Sequence, residues 1–315
     1  MALTLTEGNK YSQTELQKAI VDRLVIDDPS GILDRLQFKT ILGNSLTYDT
    51  VTTRSGAGFY SVGDTWAEST PVLGQDTAAL TILGGDADVD NFLKATRSNI
   101  IDVQKEVLND KVLAVRETFL DQLFYGSTAV NAKGFNGLHL KIASTTYNTV
   151  ERATGGASQT GSVKGLKSAI DLIVGHKPSL IVMSKVALRD LSAYLDSIGS
   201  AFPTSRDNYG KTVKMFDGIP VFACDYIVNT EAYSGTSYSA KTGGTLSTTV
   251  FILTFAPTAC CGIQGPNGVE TIKLGDLETK DASRVRIRWY CGFMFQDLRS
   301  SAKYSGVTAG TTWGA

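Results

Sequence analysis

An α+β fold is predicted by three features of this 315-residue sequence. The segment from Ser98 to Gly126 reads as one helix of unusual length. The segment before it is rich in Thr, aromatic and β-branched residues and reads as a two-stranded ribbon. The segment from about 160 to 265 alternates helix and strand signals, and the chain then returns to long strands.

Residues 1–45 read as an N-terminal arm. Ser12-Gln13-Thr14-Glu15 is a capping-box pattern, and Leu16, Ile20 and Leu24 follow at helical spacing. A second short helix fits Ile32 to Leu36 after Pro29-Ser30-Gly31. These pieces are too small to bury their apolar stripes on each other, so they are expected to dock elsewhere, sheltered by other copies of the chain.

Residues 46–85 read as an extended ribbon with a turn at Ser55-Gly56-Ala57-Gly58. An isolated two-stranded ribbon is marginal in water. Tyr60 and Trp66 are its candidate anchors, since aromatic side chains dominate many interfaces. From 46 to 90 the seven acids Asp49, Asp64, Glu68, Asp76, Asp86, Asp88 and Asp90 face Arg54 alone, a net charge of −6. The run "DADVDNFL" reads as a strand with Asp86, Asp88 and Asp90 on one face.

In the long helix, Ile101, Val103, Val107, Leu108, Val112, Val115, Phe119, Leu120 and Leu123 form one stripe at steps of three and four. Ser98 is its candidate N-cap and Gly126 a left-handed stop. About 27 residues at a rise of 1.5 Å give roughly 40 Å. A compact turn is expected at Gly134-Phe135-Asn136-Gly137-Leu138.

The alternating unit contains a helix over 163–174, a strand over 179–183 and a helix capped by Ser184 and ended by Gly199. A hairpin follows, with Thr212–Phe216 and Ile219–Cys224 joined through Asp217-Gly218. An exposed loop is expected over 229–249, then a strand from Val250 to Phe255. In the tail, "SRVRIRWYCGFMF" sets Arg284, Arg286 and Arg288 opposite Val285, Ile287 and Trp289, and Gly292 marks a candidate bulge. Seven basic and five acidic residues make 269–303 net +2. The carboxylate row and the guanidinium row are candidates for charge pairing, on adjacent strands of one sheet or across subunits.

Thirty basic against 31 acidic residues give the chain a net charge of −1, which argues against a dedicated nucleic-acid binder. The sequence shows no charged-then-apolar leader and no apolar run near 18 residues, so no membrane association is expected. Cys224, Cys260, Cys261 and Cys291 lack ligand spacing and read as buried thiols. His139 and His176 have no neighbouring acid or Cys at metal-ligand spacing, and His176 is expected to meet the last carbonyls of the preceding helix. "NYGKT" (208–212) lacks the first glycine of a phosphate loop and precedes a strand. Asp86/Asp88/Asp90 opens like a calcium loop, but Asn91 and Arg97 stand where Gly and Glu belong. No catalytic, cofactor-binding or metal-binding residues are therefore assigned, and no enzyme activity is expected.

The order of these parts resembles the tailed-phage major capsid proteins of the Hong Kong 97 fold. The stretches that carry the resemblance are "LDRLQF" (33–38), "DADVDNFL" before the long helix, "LFYG" at its end, "GFNGL" and "DGIPVF" (217–222). It implies an arm over 1–45, an extended loop over 46–85 and a peripheral domain over 86–160 with spine helix 98–126. An axial domain over 161–268 and a return to the peripheral domain over 269–315 complete it. It further implies self-assembly as hexamers and pentamers into an icosahedral virion shell, built in the host bacterial cytoplasm. Separate scaffold, portal and decoration proteins and weak, non-specific contact with packaged double-stranded DNA would accompany it. No lysine lies between Lys39 and Lys94, so a covalent cross-link through the extended loop is not expected. Arg54, Tyr60, Trp66, Asp86, Asp88, Asp90, Arg284, Arg286 and Arg288 are the candidate inter-subunit or ladder contacts. An encapsulin-like cellular compartment shares this fold, and a two-domain α/β enzyme is the alternative from another class.

Overall fold

The computed structural model describes residues 31–53, 55–97, 103–143, 147–200, 202–206 and 212–314. The capping box, the helix of Leu16, Ile20 and Leu24, Arg54, Ser98 and Ile101 lie outside them.

A four-stranded sheet runs in the order Phe38–Thr40, Cys260–Leu277, Lys280–Phe295, Thr81–Asp90. The first pair is parallel and the others are antiparallel. Alternation along Lys280–Phe295 does as its sequence predicts: Val285, Ile287 and Trp289 are buried on one face. The helix Val103–Tyr125, 23 residues and about 35 Å long, lies across that face. Its stripe of Val112, Val115, Phe119, Leu120 and Leu123 is buried there. Trp289 is at the centre, with its ring 4.7 Å from that of Phe119 and 5.5 Å from that of Phe38. Burying each such side chain contributes about 1.5–3 kcal/mol.

Several expectations need correction. The short helix Ile32–Arg35 does not wait for another copy: Ile32, Leu33 and Leu36 are fully buried in the core under the long helix. Its apolar face is complementary to its own chain, and Phe38–Thr40 then pairs beside Cys260–Leu277. The strand before the long helix ends at Asp90. The Asp90 carboxylate accepts a hydrogen bond from the Phe92 amide (2.8 Å) and so caps a separate helix, Asn91–Arg97. Gly126 is not a left-handed stop. Its N–H still bonds the Gln122 carbonyl, and its carbonyl accepts from Gly137. Glycine is needed because a Cβ there would lie 2.3 Å from the Gln122 carbonyl oxygen and 2.4 Å from that of Phe135. Gly292 stays in register with Ile263; the irregularity lies on the facing strand between Gln264 and Val269.

The second sheet has seven strands in line, Thr149–Glu151, Ala302–Thr308, Ser247–Leu253, Leu180–Met183, Ile219–Ala223, Thr212–Phe216 and Thr204–Arg206; Gln159–Thr160 also pairs with Ala302–Thr308. Ser184 caps the helix Lys185–Ser197, as its position predicts, and Ser162 caps Val163–Asp171, which ends three residues before the expected limit at 174. Asp217 and Gly218 both take positive φ (49° and 79°), as a tight hairpin turn requires. Leu180–Met183 and Ser247–Leu253 are buried on both faces, which explains their lack of alternation. The sheets do not divide at the expected segment limits. Cys260–Leu277 begins before 269, and Ala302–Thr308 belongs to the second sheet, because Tyr304 is buried there with Leu166 and Trp313. Residues 229–249 are not simply a loop. They hold the hairpin Ala232–Ser234 and Ser237–Ala240, and Glu231, Ser247, Thr248 and Thr249 are buried. All four cysteines are free and buried.

The ribbon pairs Ser45–Thr53 with Val72–Ala79. The expected turn at 55–58 is part of a longer tip, residues 55–71, which has no strand and is exposed almost throughout. Only the base is anchored: Tyr48 and Ala78 pack with Ile41, Cys261, Ile263 and Met294, and Asp76 meets both the Tyr48 hydroxyl and the Lys141 ammonium.

Phe38→Ala should destabilise the protein by about 3–5 kcal/mol in denaturant unfolding, since it empties a fully packed aromatic site. A cost under about 1 kcal/mol would show that residues 31–41 are not part of the chain's own core.

Candidate assembly surfaces

The outer face of the four-stranded sheet carries the charged rows. Register places Asp88 opposite Arg284 and Asp86 opposite Arg286. Each pair is a two-bonded fork: Arg284 Nε and Nη2 donate to the Asp88 carboxylate at 2.6 and 2.7 Å, and Arg286 to Asp86 at 2.6 and 2.8 Å. Such forks are the strongest ion-pair geometry available to Arg. Arg284 Nη1 also lies 3.4 Å from Asp86, which joins the two pairs. The third members part ways. Arg288 donates to Glu270 on the other neighbouring strand, because the residue across from it on Thr81–Asp90 is Gly84. Asp90 faces Ala282 and serves as the helix cap described above. The structure thus places both complete pairs within one chain, on adjacent strands.

The hydrogen bonds from Arg286 and Arg284 hold the Asp86 and Asp88 carboxyls, respectively, below the usual carboxylate range. A depressed carboxyl contributes stability that is fully present above its unfolded-state pKa and is lost as pH falls through the lower folded value.

The second surface is the ribbon tip. Tyr60 and Trp66 stack with ring centres 4.4 Å apart, and the Tyr60 hydroxyl accepts from the Ala67 amide (3.1 Å). The pair pins the tip's shape while leaving Trp66 77% exposed. Phe59 and Val62 beside it are fully exposed, as are Val72 and Leu73 in large part. Asp49, Asp64 and Glu68 make no ion pair among the described residues. This is an apolar, acidic finger that its own body leaves uncovered, the kind of patch that marks an interaction site.

Sequence reasoning misses a third feature, a buried polar cluster around Glu231 and His139. The two residues are 92 positions apart and neither carries a local signal. His176 lies 3.0 Å from Asp297 Oδ2 and not at helix carbonyls, again a pairing only the fold creates. Among the described residues no group of three or more His, Cys, Asp or Glu is placed to hold a metal ion, and no helix is long and apolar enough to cross a membrane.

A long helix across a four-stranded sheet, a second α/β sheet and a protruding ribbon make up a fold of the Hong Kong 97 type. Solved structures share it across most of their length. The holo-SrpI encapsulin of Synechococcus elongatus PCC 7942 is 14% identical, with 89% of this chain and 88% of that one covered and a TM-score of 0.68. The capsid of a native GTA particle is 11% identical, covering 89% and 91%, with a TM-score of 0.64. The satellite phage P4 procapsid is 10% identical, covering 96% and 94%, with a TM-score of 0.56. At these identities the likeness is one of fold. No family model and no curated protein matches the sequence.

Arg286→Asp should lower the melting temperature by setting three carboxylates together at the ladder, and the swap Asp86→Arg/Arg286→Asp should recover most of the loss. Equal melting temperatures for wild type and Arg286→Asp would show that the ladder contributes nothing to the fold. The wild-type margin over Arg286→Asp should also shrink as pH is lowered through the ladder's carboxyl titration.

Proposed function

We propose that the chain is the major capsid protein of a tailed double-stranded DNA bacteriophage, a subunit that self-assembles into an icosahedral shell around the genome. The observation that carries this reading is the ribbon. On a fold shared with phage and GTA shells, it extends an aromatic, acidic tip that its own molecule does not cover. In a closed symmetric assembly a neighbouring copy supplies that cover, and each modest contact is repeated around the shell. Hexamers and pentamers are the units this requires. Arg54, Tyr60 and Trp66 are the proposed inter-subunit contacts. Asp86, Asp88, Arg284 and Arg286 act within the subunit, stiffening the sheet from which the ribbon springs.

The axial role falls to the second sheet and its helices, and the peripheral role to the long helix and the four-stranded sheet. Scaffold, portal and decoration proteins are the proposed further partners, the virion the place of action and the host bacterial cytoplasm the place of assembly. The satellite phage P4 procapsid includes a size determination protein, which supports a scaffold-type partner. Contact with packaged DNA is weak and non-specific, consistent with a net charge of −1. The chemistry of the reading is structural and needs no catalytic group.

The encapsulin likeness, with the highest of the TM-scores given above, favours a second reading in which the shell encloses protein cargo. Purified native particles separate the two: a nucleic-acid absorbance spectrum supports the capsid, and a protein spectrum supports the compartment. Size-exclusion chromatography giving only a small oligomer would contradict both. Trp66→Ala together with Tyr60→Ala should cut particle yield at least about tenfold, the scale of a lost interface anchor, while leaving subunit melting unchanged. Normal yield would remove the ribbon tip from the assembly contacts.

A further inference from the structure

Glu231 is completely buried, and its carboxylate is held from four directions. Tyr125, at the end of the long helix, donates to Oε1 at 2.6 Å. His139 Nε2, on the short helix Leu138–Lys141, lies 3.2 Å from the same oxygen. Tyr233, from the hairpin of Ala232–Ser234 and Ser237–Ala240, donates to Oε2 at 2.6 Å, and Thr249, on a central strand of the second sheet, at 2.7 Å. The cluster therefore fastens the long helix of one layer to the sheet of the other. Tyr233 also accepts from the Gly306 amide (2.8 Å), which ties the hairpin to Ala302–Thr308.

His139 sits in an aromatic box. Tyr238 stacks on it at 3.8 Å, Tyr125 stacks at 5.3 Å and Phe251 meets it edge-on at 5.0 Å. Its Nδ1 is buried and has no hydrogen-bond partner among the described residues. The neutral ring, with its proton on Nε2 and donated to Glu231, fits this box. A second proton, on Nδ1, would have no acceptor there, and burying an unpaired charged donor is costly. The surrounding charges are specific. Lys303 Nζ donates to the His139 carbonyl at 2.9 Å, and Glu151 lies on the strand beside it. Lys241 pairs with Asp121 of the long helix at the hairpin's edge, and Tyr238 stacks on the imidazole.

We propose that the hairpin of residues 232–240 is an acid-released clasp: it holds the long helix to the second sheet while His139 is neutral, and lifts when His139 takes its second proton. Lifting Tyr238 off the imidazole is what gives Nδ1 access to water. Burial, opposed by Glu231 and reinforced by Lys303, keeps the His139 pKa below its ordinary value. The closed form thus binds fewer protons than the open form, so stability of the closed form is present above about pH 6.5 and is lost as pH falls below it. Burial pushes the Glu231 carboxyl up, and His139, then Thr249 and Tyr125, hold it below the usual range. Lys303, pushed down to about 8 by burial, remains mostly protonated at neutrality and balances the Glu231 charge.

The chain has two histidines, so the test is clean. Amide hydrogen exchange of residues 228–246 is followed in the purified full-length protein at pH 7.5 and 5.5, corrected for the intrinsic rate, together with the carbon-13 titration of the two imidazoles. Opening of the hairpin should rise about tenfold between these values, the change expected across an open-state pKa near 6.5. His139→Gln, which can still donate to Glu231 but cannot titrate, should abolish the rise. If that variant does not fold, the wild-type titration decides: the His139 midpoint should coincide with the hairpin's loss of protection. An unchanged exchange rate, a full rise in His139→Gln, or a His139 titration completed under a protected hairpin would each overturn the proposal.

Discussion

Trp289 packs against Phe38 and Phe119, and the molecule is organised around that contact. The three rings come from the end of the arm, the long helix and the last long hairpin, which are far apart in the chain. One helix of about 35 Å laid on a four-stranded sheet cannot bury its stripe with residues near it in the chain. The core therefore has to be drawn from all along the sequence. Ile32 and Leu33 enter it from one end and Cys260 and Phe295 from the other. Close contacts enforce the fit: a Cβ on Gly262 would fall 2.5 Å from the Phe38 ring.

What this core covers and what it leaves bare determine how the protein can act. The buried stripe of the helix, the inner face of the four-stranded sheet, the central strands of the second sheet and Ile32, Leu33, Leu36 and Phe38 pack within one chain. The ribbon is satisfied only at its base, where Tyr48 and Lys141 converge on Asp76. Beyond that point the tip is shaped by its own Tyr60–Trp66 stack and offers Phe59 and Val62 to whatever lies next to it. The charge ladder belongs to the rigid side of this division. Its forks join the edge strand, which leads directly from the ribbon, to the central strand of the sheet.

Legibility in the sequence followed the range of the interaction. Elements governed by neighbours in the chain were readable. The stripe from Val112 to Leu123, the Ser184 cap and the Asp217-Gly218 turn each need only nearby residues to define them. The alternation of Arg284, Arg286 and Arg288 was readable for the same reason, and so was the facing row of acids. The exact partners were not, because they depend on strand register: Gly84 opposite Arg288 and Ala282 opposite Asp90 are facts of pairing that no local pattern encodes. The Glu231–His139 cluster lay further out of reach, since four elements must be folded before its donors converge. The sequence also overstated the dependence of Ile32 and Leu33 on other copies, because their complement is assembled from residues more than seventy positions away.

The central claim is that a subunit complete in its core is incomplete at its ribbon, and that another copy of the same chain covers the exposed tip. A cryo-electron microscopy reconstruction of the purified assembly tests it most directly. The account predicts a closed shell in which residues 55–71 of each subunit rest on a different copy, with Trp66 buried at the contact. A reconstruction with the ribbon folded back on its own body, or with Trp66 in solvent on every copy, would contradict it.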